Sequence, residues 1–162
     1  KEQGEPIQVE GPTFAPGQPP ATYLGYDRAD SFGGKERVVR DATSSYRFPA
    51  FLPDDEWALS GRWKAEREKI VAGGQGAALR LNFKARKVFL VLGTASGKPV
   101  RVSLRLNGEA VGSNAGKDAP AGVATVERNT LYELIDQQVP KNGLLEIETD
   151  APGLEAYAFT FG

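Results

Sequence analysis

Two tryptophans, Trp57 and Trp63, bracket the segment Ala-Leu-Ser-Gly-Arg, six residues apart. Spaced this way on one uninterrupted strand, their side chains share a face. A tryptophan or tyrosine ring offers a flat apolar face with a polar edge, which suits a pyranose ring. Tyr23, Tyr26, Tyr46 and Tyr132 could join such a platform. The opposing expectation is that both tryptophans are core, because large aromatics dominate the interiors of all-β domains, and a break at Gly61 would separate them. Arg101 and Arg105 offer a second chemistry. On a strand they share an outward face and could grip an anionic ligand or acidic partner. A solvated face paired with Glu146 or Glu148 is the alternative.

Other chemistries are closed by composition. The 162 residues contain no cysteine and no histidine. Thiol exchange needs a thiolate, Ser-His-Asp and Cys-His catalysis need an imidazole, and a histidine-ligated zinc site needs the same ring. A glycosidase needs two carboxylates across a cleft, but 21 acids make some pairing inevitable, so no signal follows. Asp54-Asp55-Glu56 could hold a structural Ca²⁺ through its carboxylate oxygens. It lacks the spaced ligands of a calcium loop and reads first as a solvated turn. Gly93-Thr-Ala-Ser-Gly97-Lys98 is one residue short of a phosphate-binding loop. Pro99 stands where a Ser or Thr should open a helix, so it reads as a hairpin turn. No catalytic residue and no cofactor are expected.

The elements that would position these residues are strands. Val100, Val102, Leu104 and Leu106 alternate with Arg101, Ser103, Arg105 and Asn107; Leu79, Leu81 and Phe83 alternate with Arg80, Asn82 and Lys84; Tyr157, Phe159 and Phe161 alternate with Ala158 and Thr160. This is the period-two pattern of half-buried antiparallel strands. Further strands are expected over 57–71 (broken near Gly61), 87–93, 124–127, 131–138 and 144–149. Turn signals lie at Gly73-Gly74, Ser96 to Pro99, Asn107-Gly108, Asn142-Gly143 and Pro152-Gly153. Of two segments with helical composition, 63–71 lacks an apolar face and 129–138 splits better as helix than as strand; both are taken as strand. Short strands between Gly/Pro turns predict an all-β domain, a jelly-roll-type β-sandwich of about eight antiparallel strands. Residues 1–21, rich in proline, form an extended N-terminal arm with a short edge strand at Ile7 to Val9 expected; residues 22–162 form the sandwich.

The net charge of −1 excludes the clustered basic excess of a nucleic-acid binder. No apolar run approaches the ~20 residues of a membrane helix. The chain has no methionine and begins at Lys1, which reads as a processed chain or a piece of a longer one.

Five stretches carry a resemblance: Ala21-Thr-Tyr-Leu-Gly-Tyr26, Trp57-Ala-Leu-Ser-Gly-Arg-Trp63, Leu106-Asn-Gly-Glu109, Leu131-Tyr-Glu-Leu-Ile135 and Ala156-Tyr-Ala-Phe-Thr-Phe-Gly162. In this order they resemble the C-terminal domain of DipZ-type proteins, over nearly the whole chain from Thr22. These proteins look like fusions of a cytochrome c biogenesis membrane part, an extracytoplasmic thioredoxin-like domain and a final carbohydrate-module-like β-sandwich. The resemblance implies a periplasmic or extracytoplasmic location, an adjacent thioredoxin-like domain as partner, and a parent thiol-disulfide oxidoreductase whose cysteine pair has no counterpart here. In that family the Leu-Tyr-x-Leu segment is often followed by a basic residue; here Asp136 stands there. The resemblance implies a non-catalytic accessory domain. Either it binds a glycan or cell-envelope polymer, or it docks on the thioredoxin-like domain and orients it.

Overall fold

The computed structural model describes residues 21–162; the arm expected over 1–21, including the strand at Ile7 to Val9, lies outside the described residues apart from Ala21. The fold is all-β. Ten strands are named among the described residues: β1 (Ala21–Tyr23), β2 (Thr43–Tyr46), β3 (Trp57–Ala65), β4 (Ile70–Ala72), β5 (Ala78–Thr94), β6 (Val100–Leu106), β7 (Glu109–Ala110), β8 (Val123–Val126), β9 (Thr130–Thr149) and β10 (Leu154–Phe161). All pair antiparallel, in the order β1-β10-β4-β3-β5-β9-β6-β7, with β2 on β3 and β8 on β6.

The order closes on itself. β3 reaches β5 directly through Trp57–Ser60, and again by way of β4 and β10. The sheet therefore folds back around one core, as a sandwich does. The long strands β5 and β9 make this possible. In β5 the buried set runs Leu79, Leu81, Phe83, Ala85 and then switches to Val88, Leu90, Leu92. The switch coincides with a register shift between Ala85 and Lys87. An extra residue in a ladder bends the strand and exchanges its faces. On β9 the opposing residues 137–140 bow outward, and the buried Gln137 amide closes their base by donating to the carbonyls of Ala85 (3.0 Å) and Lys141 (2.9 Å).

Three local expectations are corrected. The segments 77–85 and 87–93 are one strand, and so are 131–138 and 144–149, because bulges bend the ladder without ending it. Asn142-Gly143 is no turn. Gly143 lies in the ladder opposite Phe83, whose ring fills the space of a β-carbon at 2.8 Å. Asn107-Gly108, with φ of 57° and 81°, makes the expected positive-φ turn between β6 and β7. Finally, β3 runs unbroken through Gly61 (φ 86°), where its partner changes, and 63–71 divides into the end of β3, a turn and β4.

Candidate functional site

The tryptophans are core. Trp57 and Trp63 are each 1% exposed, on the inward face of β3. The Trp57 ring packs edge-on against Phe32, with centroids 4.9 Å apart, and its Nε1–H donates to the Asp30 carbonyl (2.9 Å). The Trp63 Nε1–H donates to the Ser60 carbonyl (3.0 Å). Neither offers a ring face to a sugar, which corrects the expected platform. Tyr46 is likewise buried, its hydroxyl accepting from the Val39 N–H (3.1 Å).

Tyr23 and Tyr26 sit at the edge formed by β1, each under a guanidinium: Arg28 lies 3.8 Å above the Tyr23 ring and Arg40 4.6 Å above Tyr26. The Tyr26 hydroxyl donates to Asp41 (2.6 Å), a hydrogen bond that raises its pKa. Between them Leu24 enters the core, and a β-carbon on Gly25 would collide with the Glu68–Lys69 peptide of the β3–β4 turn. Arg101 and Arg105 share the exposed face of β6 as expected. Arg101 pairs with Asp150 at 3.6 Å. Arg105 stands in register with Glu146, which is held by Arg80 at 2.9 Å. This is a solvated charged face.

The Asp54-Asp55-Glu56 segment is a turn whose backbone N–H groups donate to Asn82 and Pro53 carbonyls. Among the described residues no three acids gather into a group that could hold a metal ion. The Gly93–Lys98 segment is the β5–β6 connection, closed by Thr94 Oγ1 donating to the Lys98 carbonyl (2.9 Å), with no helix after it.

A polar cluster that sequence reasoning missed lies where β4 meets β10. Buried Glu155 accepts from Lys69 Nζ (2.8 Å) and from the Tyr157 hydroxyl (3.2 Å), and Asn129 donates to that hydroxyl (3.0 Å). The hydrogen bond to Glu155 raises the Lys69 pKa; burial, then the Glu155 charge, raises that of Tyr157. Both folded values lie above the unfolded ones, so their stabilisation is intact below about pH 10 and is lost as pH rises through the folded values. Denaturation midpoints are expected to hold steady to about pH 9 and then fall. Tyr157→Phe should make the fall shallower. An unchanged alkaline slope would contradict this assignment.

Of the expected ligand residues, Tyr132 lines a cleft. The cleft measures about 510 Å³ and is lined by Phe89, Leu131, Tyr132, Glu133, Lys117, Asp118 and the 125–130 connection of β8 to β9. It exists because β6 pairs with β9 only from Leu145 to Thr149, leaving the outer edge of β9 uncovered near its start. The segment 115–118 fills part of that gap. Gly116 N–H donates to the Leu134 carbonyl (2.8 Å), Asp118 N–H to the Glu133 carbonyl (3.1 Å), and Glu133 N–H to Asp118 Oδ2 (2.7 Å). The Glu133 carboxylate, 8% exposed, accepts from Lys87 Nζ (3.1 Å) and from the Lys117 N–H (3.1 Å). Tyr132 donates to the Arg128 carbonyl (2.9 Å) and accepts from the Glu127 N–H (3.3 Å), which fixes the 127–130 turn. The Lys117 and Arg128 side chains are exposed and make no ion pair or hydrogen bond among the described residues. The cleft thus sets the exposed donors of Lys117 and Arg128 beside the half-buried Phe89 and Leu131.

Comparison with known proteins places this architecture. The family described as "Thioredoxin like C-terminal domain" matches residues 19–162. Protein DipZ of Mycobacterium bovis and protein DipZ of Mycobacterium tuberculosis are each 26% identical to the chain over 144 residues, 88% of its length. The chain spans 18% of the length of these relatives. A solved family two carbohydrate esterase from Cellvibrio japonicus superposes with a TM-score of 0.53 at 10% identity, covering 67% of this chain and 31% of the esterase, a likeness of fold. The chain belongs to the family of thioredoxin-like C-terminal domains.

Proposed function

We propose that the chain is a non-catalytic accessory domain of an extracytoplasmic thioredoxin-like protein, and that it holds a glycan or cell-envelope polymer in the cleft at the start of β9. The cleft carries this reading: Phe89 and Leu131 offer it an apolar surface, while the unspent donors of Lys117 and Arg128 stand beside them. A sugar asks for that mixture of apolar surface and a few placed polar groups. The absence of cysteine leaves thiol chemistry to the neighbouring thioredoxin-like domain.

Calorimetric titration with peptidoglycan fragments and soluble glycans tests it. Saturable binding is expected in the wild type, weakened about tenfold or more by Lys117→Ala with Arg128→Ala, each removed donor being worth about a kcal/mol. Trp57→Phe should leave it unchanged. Binding that the double variant keeps, or no binding to any glycan, would contradict the reading. Absence of binding would favour the second reading, docking on the thioredoxin-like domain, which has one observation in its support: Phe51 is 74% exposed.

A further inference from the structure

We infer that the cleft recognises the acetamido group of an N-acetylated saccharide, through the free backbone edge of β9 at Leu131. The inference rests on the saccharide reading of the cleft and names the sugar class.

The backbone geometry leads there. Along an antiparallel strand the N–H and C=O of alternate residues point to the same edge. Glu133 directs both of its groups outward, where Asp118 takes them. Glu133, Tyr132 and Leu131 pair in unbroken register with Phe89, Leu90 and Val91, so Leu131 presents its N–H and C=O to that same outer edge. Among the described residues no strand lies there: β9 pairs with β5 and with β6, and β6 joins it at Leu145. Among the described residues no turn or loop hydrogen bond involves Leu131. One donor and one acceptor, spaced as they are for a neighbouring strand, therefore face the cleft.

A matched donor and acceptor recognise a secondary amide, whose C=O and N–H can answer both. The free edge is one residue long. On one side the 115–118 segment occupies Glu133, and on the other the chain turns away at Asn129, with Tyr132 holding Arg128 and Glu127. A peptide adding as a strand would need several free residues in a row. A single acetamido group needs one. Its methyl has the Phe89 and Leu131 side chains to rest on. The rim charges balance, Lys117 and Arg128 against Asp118 and Glu127, while Glu133 is spent on Lys87. This suits an uncharged ligand.

The test compares chitotetraose with cellotetraose, which differ in bearing an acetamido group or a hydroxyl at each C2, and with tetraalanine, whose free amino end carries no acetyl group. Chitotetraose is expected to bind at least about tenfold more tightly than either of the others. Leu131→Pro removes the outward N–H without touching the ladder to β5, a position where an edge strand tolerates proline; it should lose that preference, while Leu131→Ala keeps it. If Leu131→Pro fails to fold, the ligand series decides. Equal binding of the two sugars overturns the acetamido inference and leaves the saccharide reading standing. Binding of neither sugar overturns both. Preference for the peptide overturns the inference in favour of strand addition.

Discussion

Trp57→Ala is expected to destabilise the domain by about 3–5 kcal/mol, the cost of removing a fully buried aromatic side chain and leaving its cavity. Trp57 is 1% exposed, packs edge-on against Phe32, and anchors the 30–33 segment to β3 through the Asp30 carbonyl. Its loss removes both the packing and the donor to that carbonyl. A domain with the usual 5–15 kcal/mol of stability would lose a large part of it. Denaturant unfolding followed by circular dichroism checks this. Trp57→Phe should lose considerably less, because most of the volume returns. Tyr23→Ala, at the half-buried edge, should lose less still. A Trp57→Ala protein within about 1 kcal/mol of wild type would mean the residue is not core.

Glu133→Ala is expected to cost about 2–3 kcal/mol. Breaking a buried ion pair by removing one partner typically costs about 3–5 kcal/mol, because the other charge is left uncompensated. Here Lys87 is 24% exposed and keeps Asp136 at 4.0 Å, so the cost falls to the bottom of that range or below it. The same carboxylate accepts from the Lys117 N–H, so its loss also loosens the 115–118 segment on β9. Hydrogen exchange at the Gly116 and Asp118 amides should quicken more than at the core strands. Glu133→Gln, which retains an acceptor for Lys117, should restore part of that protection. Uniform exchange changes across the domain would show that Glu133 acts on global stability alone.

The parts of this fold that were legible in the sequence are those with a strict period of two. β6 is the clearest: Val100, Val102, Leu104 and Leu106 are all buried, and Arg101, Ser103 and Arg105 exposed. The pattern failed where the ladder bulges. A bulge shifts the buried set by one residue without ending the strand, so β5 reads as two segments split at Arg86. Dipeptide turn signals carry only local information. Asn107-Gly108 and Asn142-Gly143 look alike, yet the second sits in β9 because Phe83 needs a neighbour without a β-carbon. The aromatic motifs leave core and ligand platform both open, and burial decides for the core, since it depends on which strands close over β3. The cleft was nearly invisible. Tyr132 was named, but Phe89, Lys117 and Arg128 come from three separate elements, brought together by the 115–118 segment docking on a distant strand. No alternation or spacing marks such a contact.

On the proposed reading the working surface is the cleft at the start of β9 and not the tryptophans or the Phe51 face. The most direct measurement is a nuclear magnetic resonance titration of the ¹⁵N-labelled chain with chitotetraose. Saturable shifts are expected, concentrated in the amides of 115–118 and 127–133, with Leu131 among the largest, and little change at Trp57, Trp63 or Phe51. Shifts centred on residues 48–53, or no saturable shift anywhere, would contradict it.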